Sequence, residues 1–148
     1  MNGGGERGVF VDTNVLIYAV DKLEGSKHEL ALRWMSSLWS SNAGRLSWQV
    51  LNEFYVNALR KSRLPAQNAR DLVSSLTLWK PVGLGFGLVH RAWYWMDSAK
   101  ISYWDALILA SAETAGCAYL LSEDFQEGRK FHSITVVNPF HSLPEEFG

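Results

Sequence analysis

The sequence predicts an α/β protein, a three-layer sandwich in which a short parallel sheet is flanked by helices on both faces. Two observations lead to this fold class. The β-like segments are short and continuously apolar, which is typical of strands that are buried on both faces. They alternate along the chain with segments whose apolar residues recur every three or four positions, which is the period of an amphipathic helix.

The composition describes one ordinary globular domain. The chain has 148 residues, of which 47% are hydrophobic and 20% are charged. A chain of this length forms a core without disulfide staples, and this composition excludes a disordered tail, a collagen-like fibre and a highly charged helical rod. The formal net charge of −1 does not indicate any particular class of binding partner. We expect a single domain over residues 1–148, in which 1–8 form a flexible glycine-rich leader.

Cysteine usage and hydropathy bear on the compartment. Cys117 is the only cysteine, so it cannot form an internal disulfide, and it lacks the spaced Cys and His companions of a zinc site. The opening residues, MNGGGERG, have no apolar stretch of signal-peptide length, and no segment approaches the roughly 18 apolar residues of a membrane span. We therefore expect a cytoplasmic protein with no membrane partner.

The first half of the chain predicts two strands and three helices. VFV at 9–11 is a short β-branched and aromatic run, which indicates a buried first strand. Helices are expected over 15–20 and over 28–39, where the apolar spacing is helical. RLSW at 45–48 is compatible with a second short strand, and 49–62 is helical again.

Prolines delimit the middle of the chain. Pro65 lies where a new helix can begin, and the helical pattern continues over 69–79 until Pro81 prevents its extension. Val82 is a candidate for a short third strand. The apolar spacing over 86–99 predicts another helix.

The last third predicts one more helix and two strands. Ser102 is placed to cap a helix whose body is the apolar run ALILASAETAG, with Gly116 at its C-terminal end. The apolar segments at 118–122 and 134–137 have the length and composition of buried strands. With these strands the alternating α/β pattern is complete.

Two carboxylates follow predicted strands. Asp12 comes directly after VFV, and Asp124 comes two residues after the strand that ends in LLS. In open parallel sheets, ligands bind beyond the carboxyl ends of the strands, so both side chains lie at one rim if the two strands are neighbours. A helix N-cap role for Asp12 and a simple loop position for Asp124 explain each residue equally well when it is taken alone.

Two further carboxylates lie in apolar stretches of predicted helices. Glu53 has Val56 and Asn57 at its i+3 and i+4 positions, so its partner must come from elsewhere in the fold, either a basic side chain or a metal. Asp105 has capping-box spacing from Ser102, which favours a structural role. It nevertheless leads directly into ALILA, with no basic residue one turn away.

Four such carboxylates in one pocket would repel one another and raise one another's pKa values. A hard divalent cation resolves this conflict, because Mg²⁺ and Mn²⁺ prefer oxygen ligands and Mg²⁺ takes one or two carboxylates together with waters. Such an ion can polarise a phosphoryl oxygen and lower the pKa of a bound water. No Ser/His/Asp or Cys/His set competes with this interpretation.

Four motifs occur in an order that is characteristic of one enzyme family. They are VFVDTNVLIYA at 9–19, NEFYV around Glu53, SYWDALILASA at 102–112 and LLSEDFQEG at 120–128. Together they resemble the PIN-domain nucleases, and most closely the VapC-type toxins of bacterial toxin–antitoxin pairs. The resemblance implies a PIN-like sheet between helices, an acidic pocket that holds Mg²⁺ or Mn²⁺, and endonucleolytic cleavage of RNA.

The resemblance also implies the roles of individual residues, motif by motif. The catalytic acids are Asp12, Glu53, Asp105 and Asp124. Asp12 and Asp105 are the primary metal ligands, directly or through water, whereas the other two acids complete the pocket and orient waters. The supporting polar side chains are Thr13, Asn14 and Ser122.

A basic cluster follows at the end of the predicted helix that carries Glu53. Its members are Arg60, Lys61 and Arg63. Cations at a helix C-terminus interact favourably with the helix dipole, which is one explanation of the cluster. The other is contact with RNA phosphates that guides the substrate towards the acids.

Seven tryptophans are many for a chain of 148 residues. Trp is seldom wholly buried, so some indoles are expected at a groove or partner surface, and Trp93 and Trp95 cannot share one helix face. The resemblance implies a small antitoxin protein as partner, and we also expect a homodimer. The segments 28–39 and 86–99 are the candidate surfaces.

Two other functions stay open at this point. One is a PIN-like nuclease that acts on structured DNA, and the other is a catalytically silent module that uses the fold for protein contacts. The intact acids argue against the silent module. The lack of a long insertion or second domain argues weakly against the enzyme for structured DNA.

Overall fold

The computed structural model describes residues 8–147. Its strands are β1 (Gly8–Val11), β2 (Gly44–Arg45), β3 (Cys117–Leu121), β4 (Lys130–Phe131) and β5 (Ile134–Val137). Its α-helices are α1 (Thr13–Val20), α2 (Ser26–Ser41), α3 (Trp48–Arg60), α4 (Ala66–Leu76), α5 (Phe86–Ala99) and α6 (Tyr103–Thr114). Short 3₁₀ turns lie at Lys22–Glu24, Thr77–Trp79 and Pro144–Phe147. None of the helices within 8–147 has both the length and the hydropathy that crossing a membrane requires.

The described strands form one sheet in the order β2-β1-β3-β5-β4. β1 pairs in parallel with β2 and β3, and β3 pairs in parallel with β5. The pairing of β4 with β5 is antiparallel. The fold is therefore mixed α/β with a mostly parallel sheet, and the predicted fold class is confirmed.

Both faces of the sheet are covered. Consecutive side chains of a strand point to opposite faces, and Val9, Phe10 and Val11 of β1 are all buried. The same holds for Leu120 and Leu121 of β3. Around the sheet, α5 packs against α6, and α1 packs against α2 and α3. This burial explains why the strands are continuously apolar rather than alternating.

The strand order changes direction at β1. From β1 the chain moves to β2 on one side, and it later returns to β3 on the other side. Val11 at the end of β1 is level with Leu121 at the end of β3, and the Asp12 amide donates to the Leu121 carbonyl at 3.0 Å. Such a reversal opens a crevice beyond the carboxyl ends of the two strands, where ligands bind in open α/β sheets.

The segment 45–48 is only partly a strand. β2 is limited to Gly44–Arg45, and α3 begins directly after Ser47, whose hydroxyl accepts from the Val50 amide at 3.2 Å. Val82 forms an isolated parallel bridge with Ser47 rather than a third strand. Because Ser47 caps α3, the chain is helical from Trp48 onward, although the composition of 45–48 is compatible with a strand.

Two further differences concern the ends of the predicted elements. The sequence does not predict β4, because two residues are too few to show a period, and its pairing with β5 alone defines it. Gly8, which we assigned to the leader, is the first residue of β1 and pairs with Cys117. The rest of the expected leader, 1–7, lies outside the described residues.

The tryptophans divide between the core and the surface. Trp34 and Trp79 are buried in the core. On α5, Trp95 is 4% exposed and Trp93 is 48% exposed, which confirms that the pair does not share one face.

Gly44 is expected to be essential for packing at the edge of the sheet. A Cβ at this position would lie 2.3 to 2.5 Å from three ring atoms of Trp79, whose buried indole has no room to move aside. We expect Gly44→Ala to lower the free energy of unfolding by about 1–3 kcal/mol, the usual cost of overpacking a core. Urea unfolding followed by circular dichroism measures this loss.

Gly83→Ala is the matched control, because a Cβ at Gly83 meets no atom within 4 Å. This variant should be as stable as the wild type or slightly more stable, since alanine restricts the unfolded chain. Equal stabilities of the two variants would contradict the packing argument.

Candidate functional site

A pocket of about 550 Å³ opens beyond the carboxyl ends of β1 and β3. Its lining includes all four acids that the sequence singles out, Asp12, Glu53, Asp105 and Asp124. They belong to the residue after β1, the second turn of α3, the first turn of α6 and the loop after β3. The tertiary structure therefore brings together side chains that are far apart in the sequence.

Asp12 ends β1 and caps α1. One carboxylate oxygen accepts from the Thr13 amide at 2.8 Å, and the other accepts from the Ser122 hydroxyl at 2.7 Å. The residue is 7% exposed. The capping explanation is therefore correct for one oxygen, while the second is held by a side chain from the end of the neighbouring strand.

Asn14 joins the two strand ends. Its amide nitrogen lies 3.4 Å from the Asp12 carboxylate, 3.3 Å from the Ser122 hydroxyl and 3.1 Å from the Asp124 carboxylate. Its amide oxygen accepts from the backbone N–H of Glu123 at 3.3 Å. The Ser122 hydroxyl also accepts from the Asp124 amide at 3.0 Å. These bonds tie the loop after β3 to the start of α1, so the two strand-end carboxylates are held by one network.

Glu53 lies beside the fully buried Val50 and Phe54 of α3, as the sequence pattern indicates. Its carboxylate accepts from the Thr13 hydroxyl at 2.9 Å and from the Gln49 side-chain amide at 3.4 Å. The protein partner across the fold is therefore a hydroxyl group of α1 and not the basic side chain that was one of our two expectations. The Thr13 bond links α1 to α3 across the pocket.

Asp105 is placed by the N-cap of α6. The Ser102 hydroxyl accepts from the Asp105 backbone N–H at 3.1 Å, as the capping spacing predicts. This bond uses the amide of Asp105, and the half-buried carboxylate lines the pocket. Capping and a role in the pocket are thus compatible in this residue.

The pocket is electrostatically unfavourable for its own carboxylates. Burial raises the pKa of Asp12 to about 6, hydrogen bonds to its oxygens oppose this rise, and the charges of Asp124 and Glu53 add to it. Partial burial also raises the pKa of Asp105, the Ser102 hydroxyl opposes the rise, and the same two charges add to it. Within residues 8–147, none of the four acids has a Lys, Arg or His at salt-bridge distance. The protein therefore leaves this negative charge without a paired cation.

The donor set suits a hard divalent cation. Mg²⁺ and Mn²⁺ prefer oxygen ligands, and Mg²⁺ commonly uses one or two carboxylates and keeps several waters. In the part of the chain that the structure describes, no three Asp, Glu, His or Cys side chains are arranged to hold one ion together. The residues present thus fit an ion with few protein ligands and many waters, and they do not fit a closed cage.

Gln49 and Trp104 are among the lining residues to which the sequence motifs assigned no role. Gln49 lies one helical turn before Glu53, and its side-chain amide is 3.5 Å from the Trp104 carbonyl as well as within reach of the Glu53 carboxylate. Trp104, the residue before Asp105, also lines the pocket. The i−4 spacing of Gln49 and the position of Trp104 beside an acid are the signals that could have identified them.

A second network supports the loop that carries Asp124. The Glu123 carboxylate accepts from Lys27 Nζ at 2.6 Å and from the Tyr18 hydroxyl at 2.7 Å. Burial acts to raise the pKa of Glu123, but the bonds from Lys27 and Tyr18 outweigh it, and the pKa is lowered. No local pattern could have identified this group, because its members are far apart in the sequence.

The basic cluster is divided by the structure. Lys61 lines the pocket, whereas Arg60 and Arg63 lie outside its lining. All three are exposed at or just after the C-terminus of α3. Their position suits the helix dipole, and that of Lys61 also suits contact with an anion in the pocket.

The sequence matches the PIN domain family over residues 9–129. The fold is similar to that of VapC20 from Mycobacterium tuberculosis, described as a sarcin–ricin loop cleaving toxin, with 21% identity, a TM-score of 0.57 and coverage of 76% of this chain and 87% of that chain. It is also similar to a toxin–antitoxin complex from Klebsiella pneumoniae, with 20% identity, a TM-score of 0.63 and coverage of 89% of this chain and 98% of that chain. At these identities the comparison establishes a shared fold. No curated protein matches the sequence.

Proposed function

Because the chain belongs to the PIN domain family, we propose that it is a metal-dependent endoribonuclease and the toxin of a type II toxin–antitoxin pair. One observation carries the nuclease assignment. Four carboxylates without paired cations line a single pocket at the crevice between β1 and β3. Such a site is suited to binding a divalent cation and, through it, a phosphodiester.

Asp12 and Asp105 would hold a Mg²⁺ or Mn²⁺ ion, directly or through water, and Glu53 and Asp124 would complete the pocket. When bound, the ion supplies charge stabilisation at a phosphoryl oxygen and lowers the pKa of a water. Of the two proposed ligands, Asp12 is the N-cap residue of α1, and Asp105 lies in the first turn of α6, which Ser102 caps. Their backbone positions are therefore set before an ion or substrate arrives.

Other polar groups of the chain hold two of the carboxylates in place. Thr13 donates to Glu53 at 2.9 Å, and Ser122 donates to Asp12 at 2.7 Å. The Ser122 bond also lowers the pKa of Asp12 and so opposes part of the rise that burial causes. The supporting roles of Thr13 and Ser122 in the proposal therefore rest on direct contact with the acids.

The proposed reaction is hydrolysis of an RNA phosphodiester. The oxygen of a water forms a bond to phosphorus, and one P–O ester bond breaks. One proton of the water passes to the leaving ribose oxygen, and the other is released to solvent from the new phosphate. Asp124, which is exposed at the pocket, would orient this water, and Lys61 in the same lining would contact a substrate phosphate.

A panel of RNA and DNA substrates tests the proposal. It contains an unstructured RNA, an RNA hairpin, a sarcin–ricin loop fragment, single-stranded DNA and duplex DNA, each incubated with Mg²⁺, Mn²⁺ or EDTA. We expect internal cleavage of at least one RNA with either ion and none in EDTA. Preferential cleavage of DNA would replace this proposal with the structured-DNA enzyme, and absence of all cleavage would favour the silent module.

The partner of the proposed toxin is an antitoxin protein, and the toxin itself is proposed to form a homodimer. The similarity to a chain in a toxin–antitoxin complex supports the first proposal. Large apolar side chains that are exposed on α2 and on α5 support both, because exposed apolar surface is what an interaction site buries. They include Leu32 and Trp39 on α2 and Phe86 and Trp93 on α5.

Expression and light scattering test the partner proposals. We expect expression of the chain alone to slow bacterial growth, co-expression with the product of the adjacent reading frame to relieve this effect, and the two proteins to co-purify. Light scattering of the isolated chain should give the mass of a dimer. A monodisperse monomer that captures no partner and does not slow growth would refute the toxin assignment without refuting the nuclease.

A further inference from the structure

We propose that Trp104 is a specificity-determining residue, whose indole stacks on an unpaired nucleobase beside the scissile phosphate. This inference rests on the proposed ribonuclease function and adds a requirement that the RNA substrate must meet. The substrate it implies is an RNA segment in which the base next to the cleaved bond is free of pairing. The indole would contact the π-face that every base has, so stacking depends little on which base is present.

Trp104 is unusual in its exposure and its place. It is 62% exposed, although it lines the same pocket as the four acids. Tyr18 is the other aromatic residue in that lining, but its ring is already in T-shaped contact with Phe140 and has the Lys27 ammonium over it. Among the described residues, the Trp104 ring has only its chain neighbour Tyr103 as an aromatic contact, at 5.2 Å. The indole therefore has surface left for a ligand.

The backbone of Trp104 has a defined position relative to the acids. Trp104 lies in the first turn of α6, directly before Asp105, and the Ser102 cap fixes this turn. Its carbonyl is within 3.5 Å of the Gln49 side-chain amide, which also reaches the Glu53 carboxylate at 3.4 Å. The backbone that carries the indole thus shares its supports with two of the proposed catalytic acids.

A base is the occupant that these surroundings favour. The rest of the lining is strongly acidic, so a substrate must bring its phosphates past repelling charges, with Lys61 as a lining cation. Stacking on an aromatic side chain supplies attraction that does not depend on charge and tolerates any base. A base within a duplex is already stacked and paired, and it can reach the indole only after extrusion from the helix. We therefore expect the site to discriminate against paired segments.

Three substitutions separate stacking from simple apolar contact. Trp104→Phe retains an aromatic face, Trp104→Leu retains apolar volume without one, and Trp104→Ala removes both. On a cleavable single-stranded RNA we expect kcat/KM to fall less than about 5-fold for the Phe variant, and by roughly 5- to 150-fold for the Leu and Ala variants, the range that base–aromatic stacking is worth. Leu78→Ala is the control, because Leu78 is 69% exposed and lies outside the pocket lining.

An abasic scan identifies the stacked base. Each nucleotide that flanks the cleaved bond is replaced in turn by an abasic one. One replacement should lower wild-type cleavage about as much as Trp104→Ala does, and the same replacement should have little further effect on Trp104→Ala. This non-additivity is the signature of a direct contact. A merely structural role of Trp104 would lower cleavage of every substrate by the same factor.

Binding distinguishes failure of this inference from failure of the proposed function. Fluorescence anisotropy of labelled RNA is measured with Mg²⁺ in the Asp12→Asn background, with and without Trp104→Ala. Weaker binding of single-stranded RNA by the Trp104→Ala protein supports stacking even if the wild type cuts no RNA in the panel. If Trp104→Ala changes neither RNA binding nor cleavage, the inference is wrong. It is also wrong if Trp104→Ala changes the oligomeric mass of the protein while RNA cleavage is unaffected, since Trp104 would then belong to a protein contact.

Discussion

Asp12→Asn and Asp105→Asn are each expected to lower RNA cleavage by on the order of 10²-fold to 10³-fold or more, the range found when one preorganised charge-stabilising group is removed from an active site. Asparagine keeps the size and one oxygen of aspartate but loses the negative charge that would hold a divalent cation. The measurement is cleavage of the best RNA in the panel at saturating Mg²⁺. Asp71→Asn, an exposed residue of α4 whose carboxylate accepts from Gln67, is the matched control and should cleave as the wild type does.

The same substitution at Asp12 should leave the fold intact and stabilise the metal-free protein. The pKa of Asp12 is raised from 3.8 to about 6, so ionising this residue in the folded state costs stability at neutral pH, up to about 3 kcal/mol. This cost is fully present above pH 6 and disappears below the unfolded pKa, where the residue is protonated in both states. We therefore expect Asp12→Asn to unfold at a higher temperature than the wild type in EDTA at pH 7.5, with the difference vanishing towards pH 3.5.

Thermal unfolding in EDTA decides between a catalytic and a purely structural role. If both variants unfold at much lower temperature and still cleave RNA, Asp12 and Asp105 are N-terminal helix residues whose main role is structural. Loss of cleavage with stability retained or raised supports the proposed metal site. Asp12 accepts from the Thr13 amide, a bond that the asparagine oxygen can also accept, so the capping contribution is preserved in this test.

The second large effect is expected from the basic cluster. Replacing Arg60, Lys61 and Arg63 together by alanine should weaken RNA binding by about 100-fold at about 0.1 M salt, since each lost phosphate contact reduces the salt slope by about 0.7. The slope of log K against log salt should fall by about 2. Binding is measured in the Asp12→Asn background at constant Mg²⁺, so that cleavage does not interfere.

Single substitutions refine this experiment. Lys61 lines the pocket and the two arginines do not, so Lys61→Ala should account for the largest single share. Lys130→Ala removes an equal charge from an exposed position on β4 and is the matched control. An unchanged salt slope in the triple variant would assign the cluster to stabilisation of the α3 C-terminus alone.

Much of the secondary structure could be predicted because its signals are local. The helix over 86–99 has the predicted bounds, and Ser102 caps α6 as its spacing to Asp105 indicates. The errors in the sheet, at 45–48, at Val82 and at β4, concern segments in which at most two residues pair, so that neither an apolar period nor a run of β-branched residues can develop. Their strand character depends on the neighbour with which they pair.

Local sequence patterns were enough to predict the α/β class, most of the helices and strands and the four candidate carboxylates, because each depends on residues within one or two helical turns. The tertiary fold sets β1 beside β3, and this pairing brings Ser122 to Asp12. It also decided that Glu53 is held by Thr13 and that Trp104 stands exposed beside the acids. Contacts of this kind depend on which strands pair and which helices cross the sheet. A periodic pattern of apolar residues specifies which face of an element is buried, but it does not specify which other element covers that face.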